Sequence, residues 1–97
     1  MTLKNIIPMN RFGVTLTDRQ DGKKAFKAIL SDYSLPAVLD FDGVNSLGSS
    51  FGDEVVYELA LRQGGVVDVK NSNAAIRSCI AKVREDAKTA FSVNYIS

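Results

Sequence analysis

The chain contains no histidine and a single cysteine, Cys79. Without histidine, the commonest acid/base group near neutral pH and the commonest transition-metal ligand are both missing. A conventional zinc site, a Ser-His or Cys-His nucleophilic pair and an intrachain disulfide are excluded together. Neither a P-loop nor a G-x-G-x-x-G after a strand occurs, and the seven glycines are dispersed. No apolar run is long enough to span a bilayer, and MTLKNIIPMN at the start lacks the apolar core of a signal peptide. Charge imbalance is absent too. Twelve basic and eleven acidic side chains give +1, which favours neither nucleic acid nor an anionic membrane. These absences lead us to expect a cytoplasmic protein with no cofactor. Any enzymatic chemistry would fall to carboxylates, lysines and arginines, with Asp40, Asp42 and Asp53 the carboxylates to test.

What is present is one ordinary globular domain over residues 1–97, with 45% apolar and 24% charged residues. Leu3 to Ile7 reads as a strand stopped by Pro8. Phe12 to Leu16 alternates as a second, with Phe12, Val14 and Leu16 on one face, and the two are expected to pair as a hairpin. Thr17 or Asp18 caps a helix whose stripe is Phe26, Ile29, Leu30 and Tyr33; Gly22 weakens its first turn, so its regular part begins at or after that glycine. Lys23, Lys24 and Lys27 read as its solvated face. The helix ends before Pro36.

Pro36 to Phe41 is the central strand, its apolar run suited to burial on both faces. Asp42-Gly43 marks a turn. Asp40 and Asp42 fit strand-end solvation and turn capping better than a hard-cation site, which needs further oxygen ligands. Val44 and Leu47 peg a polar loop to the core. Ser49 or Ser50 caps the next helix, with Ser50-x-x-Asp53 in the pattern of a capping box. Phe51, Val55 and Leu59, flanked by Val56 and Ala60, form its buried stripe, and Gly64-Gly65 ends it. Val66 to Val69 is a strand. Asn71, Ser72 and Asn73 are N-cap candidates for a helix with the stripe Ile76, Ile80, Val83 and Ala87. Cys79, beside that stripe, reads as a small half-buried residue. Phe91 to Ile96 alternates as a last, edge strand. The order β-β-α-β-α-β-α-β implies an α/β sandwich with a mixed, mostly parallel sheet and three helices.

The stretch LDFDGVNSLGSSFGDEVV resembles the strand-loop-helix signature of STAS-like domains, the group that contains bacterial anti-sigma-factor antagonists. Asp40-Phe41, Gly43-Val44, Ser50-Phe51 and Asp53-Glu54, with Phe12-Gly13, Leu16 and Arg19 upstream and 71–73 downstream, are similar to a branch of unknown function, DUF4325. The resemblance implies a small STAS-like sandwich acting as a non-enzymatic regulatory or protein-interaction module. In the antagonists, a serine at this helix start is phosphorylated by a partner kinase-like ATPase. By position Ser49 matches that serine, and Ser50 the one after it. Gly48 stands where an acidic residue usually precedes the pair, and Phe51 where a glycine usually follows. The expected docking surface comprises Ser49, Ser50, Asp40, Asp42, Phe51 and Asp53, and the expected partner is a kinase-like ATPase or another regulator. The alternative is a small-ligand or nucleotide sensor using the loops beyond the strand carboxyl ends, where Asp42 to Ser50 should lie.

Overall fold

The computed structural model of the chain describes residues 5–96. Its strands are β1 (Asn5–Pro8), β2 (Thr15–Leu16), β3 (Ala37–Asp40), β4 (Ser46–Leu47), β5 (Val66–Lys70) and β6 (Ser92–Ile96). Helix α1 is Arg19–Asp32. Helix α2 is continuous over 49–62: α-helical at Ser49–Gly52, π-helical at Asp53–Tyr57 and α-helical again at Glu58–Arg62. Helix α3 is Ala74–Asp86.

Four strands form one sheet in the order β1-β3-β5-β6, and β2 with β4 forms a separate two-stranded ladder. Among the described residues every pairing is parallel, where the element order implies a mixed, mostly parallel sheet. Each crossover therefore steps the same way along the sheet, and right-handed connections then place all three helices on one face. The helices pack as a row, α1 against α2 and α2 against α3. The fold is a two-layer α/β sandwich with three helices, as the element order implies.

The core lies between the layers. Ile7, Leu39, Val67 and Val69 come from the sheet; Ile29, Phe51, Val55, Leu59, Ile76 and Ile80 come from the helices, and all are fully buried or nearly so. Burying an aliphatic or aromatic side chain of this size contributes about 1.5–3 kcal/mol, so this set carries most of the driving force. Ala37, Val38 and Leu39 are buried in succession, as a central strand requires. Val44 and Leu47 are buried pegs beneath their loop.

The N-terminal hairpin does not form. Residues 3 and 4 of its first strand lie outside the described residues, while Asn5 to Pro8 pair with Ala37 to Asp40. Pro8 does not stop β1 but closes it, which an edge strand tolerates because a missing donor can face outward. Met9–Phe12 then turns as a 3-10 helix. Val14 is 54% exposed, so Phe12, Val14 and Leu16 do not share a buried face. Only Thr15–Leu16 is extended, and it pairs with Ser46–Leu47, a segment the sequence reads as loop.

Helix α1 starts before its glycine rather than after it. Asp18 is the cap, its Oδ2 accepting from the Asp21 N–H at 3.0 Å. Gly22 is buried where α1 meets α2: a Cβ there would stand 3.0 Å from the Glu54 Cβ and 3.2 Å from the Phe51 Cα. The glycine permits that approach, and helix-helix packing outweighs its poor propensity. The buried face is accordingly Gly22, Ala25 and Ile29, with Phe26, Leu30 and Tyr33 at its margin.

Helix α2 ends as the glycine pair implies. Gly65 N–H reaches back to the Ala60 carbonyl at 2.8 Å with Gly64 at φ +75°, a Schellman closure. Gln63, just before, ties three elements together. Its Oε1 accepts from the Ala37 N–H at 2.7 Å, and its Nε2 donates to the Val66 carbonyl at 3.1 Å. Strands β3 and β5 are thus pinned at their starts to the end of α2.

Candidate functional site

The start of α2 is set by the short ladder before it. Gly48 donates its N–H to the Leu16 carbonyl at 2.8 Å and holds an extended conformation. A Cβ on Gly48 would lie 3.0 Å from both Cα and Cβ of Thr17. A side chain there would need Thr17 to give by a few tenths of an ångström. Gly48 itself occupies the N-cap position, and no side chain caps the helix. Neither Ser49 nor Ser50 is the cap: they are the first and second residues of the helix. The capping box does not close either, because Asp53 faces Arg19 instead.

Ser49 is exposed and Ser50 half-buried, both at the positive end of the helix. Phe51 is 1% exposed and belongs to the core. It anchors the first turn from beneath and is not part of any surface. Of the six sequence-selected residues, Ser49, Ser50 and Asp53 share the first turns of α2, and Phe51 drops out. Asp40 and Asp42 belong to a different arrangement, at the end of β3. Asp40 Oδ1 accepts from the Asn71 Nδ2 at 2.9 Å and from the Asp42 N–H at 3.0 Å. This is the turn-capping role, with Asn71 at φ +57° joining the end of β5 to that of β3.

Two features of the site carry no clear sequence signal. The first is Arg19, whose guanidinium approaches Asp53 at 3.2 Å and Glu54 at 3.4 Å. Its hydrogen bond to Asp53, foremost, holds the Arg19 pKa above its ordinary value. The ion pairs link the first turn of α1 to the wide turn of α2, and they offset the acidity next to Ser49 and Ser50. The second is the π-helical turn itself, which occurs mostly as a single turn and is often found at functional sites. It opens onto a groove of about 390 Å³ lined by Arg19, Asp53, Glu54, Tyr57, Glu58, Asp86, Ala87 and Lys88. Asp53 is the one sequence-selected residue on that wall. Below it Tyr57 packs on Phe91, ring centroids 5.6 Å apart, and its hydroxyl accepts from the Thr89 N–H at 3.2 Å.

The remaining polar groups have structural roles. Asn73 caps α3 by accepting from the Ile76 N–H at 2.8 Å, and its amide donates to the Asn45 carbonyl at 3.0 Å. The 41–48 loop is thereby tethered to α3. Ile76, Ile80 and Val83 are buried and Ala87 half-buried, the stripe read from sequence. Cys79 is half-buried beside them, and burial, with Asp53 second, raises its thiol pKa and keeps it protonated. No helix among the described residues is long and apolar enough to cross a membrane.

A two-layer parallel sandwich, entered by a strand-loop-helix with hydroxyls at the helix start, defines a STAS-like fold. The profile of the family described as "STAS-like domain of unknown function (DUF4325)" matches residues 21–77. The chain belongs to that family. No curated protein and no solved structure matches it.

Proposed function

We propose that the protein is a non-enzymatic regulatory module that docks a protein partner through residues 43–50 and the first turns of α2, with Ser49 as a phosphate-accepting switch. The observation that carries this reading is the open start of α2. An exposed serine sits at the first helical position, behind a glycine that supplies no capping oxygen. Backbone N–H groups of a first turn and the helix dipole favour an anion there. A phosphoserine brings about −1.5 to −2 charges, and Arg19 already neutralises part of the opposing acidity of Asp53 and Glu54. The phosphate would change the charge of the docking surface without entering the core. A kinase-like ATPase is the partner class the family resemblance suggests.

The ligand-sensing alternative would draw on Asp40 and Asp42. Asp40 Oδ1 is already committed to Asn71 and to the Asp42 N–H, so we keep to docking. The test is incubation with ATP and a kinase-like ATPase of the kind that phosphorylates anti-sigma-factor antagonists, followed by mass spectrometry and binding measurements. Phosphate on Ser49, with altered kinase binding by Ser49→Asp, supports the switch. An unmodified chain whose partner binding is the same in Ser49→Asp and wild type overturns it.

A further inference from the structure

The two edges of the main sheet are built differently. Edge strand β1 has four residues, ends in Pro8 and uses the Asn5 side chain to bond the Ser34 carbonyl at 2.8 Å. Edge strand β6 has five residues, Ser-Val-Asn-Tyr-Ile, in register with β5 from Val66↔Ser92 to Lys70↔Ile96 without a bulge. It carries no charge, no proline and no glycine, the devices that normally blunt an edge. Among the described residues only β5 pairs with it. Tyr95 and Ile96 are 40% and 41% exposed.

The direction of the unpaired groups follows from the ladder. Ser92 donates its N–H to the Gly65 carbonyl at 2.8 Å, so Ser92 points its backbone groups at β5. Strand alternation then points those of Asn94 and Ile96 at β5 and those of Val93 and Tyr95 outward. The open edge therefore presents two N–H and C=O pairs spaced as an antiparallel partner needs. Only one antiparallel self-pairing uses both pairs within the strand. It sets Val93 against Tyr95 of a second chain, Tyr95 against Val93, and Asn94 on the two-fold axis against its own copy.

We infer that β6 is a homodimer interface, two copies joining antiparallel through β6 into one continuous sheet. The side chains agree with that register. Val93 against Tyr95 is a β-branched–aromatic pair of a kind that stabilises adjacent strands. Arg77 of α3 lies 4.6 Å above the Tyr95 ring and places this pair on the helix-covered face. Strand β6 itself carries no charge, so no like charges within it meet across the axis. The surface at the start of α2 is a separate one.

The test is sedimentation velocity of the full chain over a range of concentrations, together with two variants. Wild type should reach twice its 10.5 kDa mass as concentration rises. Tyr95→Pro removes an N–H that points away from β5, so the internal ladder stays complete while two intermolecular bonds are lost. Self-association should weaken about thirtyfold or more, with an unchanged circular dichroism spectrum. Asn94→Cys in a Cys79→Ser background should form an interchain disulfide on mild oxidation, since residues facing each other on the axis as a non-hydrogen-bonded pair lie about 4.5 Å apart at Cα. The disulfide also tests the register should Tyr95→Pro fail to fold. A chain that stays monomeric at its highest soluble concentration overturns the inference. So does a dimer that Tyr95→Pro leaves intact or that Asn94→Cys does not cross-link.

Discussion

The three helices begin in two different ways. Helices α1 and α3 are closed by Asp18 and Asn73, each accepting from the N–H three residues on. Helix α2 begins with Gly48, which has no side chain to offer, and the hydroxyls of Ser49 and Ser50 come too late in the chain to replace it. The cause is packing. The β2–β4 ladder brings Gly48 so close to Thr17 that a Cβ would stand only 3.0 Å from it. A cap adds about 1 kcal/mol to a helix, whereas burial of Phe51 directly beneath contributes more. The first turn of α2 is thus held from below and left open above, which is the arrangement a docking surface needs.

The largest expected effect tests that division of labour. Phe51→Ala should lower stability by about 3–5 kcal/mol, read from the urea midpoint at unchanged slope. A small loss would return Phe51 to the surface role that the sequence suggested. Next comes Gly48→Ser, which supplies the missing cap. Capping rules alone predict a gain of about 1 kcal/mol; the contact with Thr17 predicts a loss of about 1–3 kcal/mol through overpacking. Thermal denaturation decides the sign, and a gain would show that the ladder yields. The cap removals follow, Asn73→Ala and Asp18→Ala, at about 0.5–2 kcal/mol. Asn73 should be the larger, because its amide also holds the Asn45 carbonyl. Equal losses would mean that the loop tether adds nothing.

The contrast among helix starts also marks how far the sequence could be read. Helix α3 was legible in full, since Asn73 was among the cap candidates and Ile76, Ile80, Val83 and Ala87 lie at local, periodic spacing. The same holds for the buried face of α2 and for the apolar run of β3. The misread features all depend on distant neighbours. A two-residue ladder such as β2–β4 has no periodicity, and nothing near Thr15 announces Ser46 as its partner. Local pattern therefore paired β1 with β2, when each pairs across a longer crossover. Gly22 reads as a weak point and Gly48 as a departure from the family's acidic residue, although both are close approaches whose partners, Phe51 and Thr17, lie 29 and 31 residues away. Of the candidate site, Ser49, Ser50 and Asp53 stand out from the local helix-start pattern and again from the family resemblance. Arg19 was noted only as a match to the family's beginning, because an ion pair to Asp53 across two helices leaves no trace in spacing.

Smaller effects probe the open start itself. Arg19→Gln should lower Tm less than Asn73→Ala does, and the difference should shrink at high salt, because exposed ion pairs are screened. The smallest change is expected at Ser49. In Ser49→Asp a carboxylate at the first helical position gains about 0.3–1 kcal/mol from the dipole and loses about 0.2–0.5 kcal/mol to Asp53 at i+4. Arg19 reduces that loss by holding Asp53 at 3.2 Å, so the net change should stay within about 1 kcal/mol of wild type. Ser49→Ala should be equally silent, since Gly48 and not Ser49 occupies the cap position. Thermal denaturation of both variants, each also made with Arg19→Gln, checks this: removing Arg19 should cost the Asp variant more stability than the Ala variant. A shift of several degrees in Ser49→Ala would make the serine a structural part of α2. Silence in both variants would leave Ser49 free to carry charge for a partner without disturbing the fold beneath it.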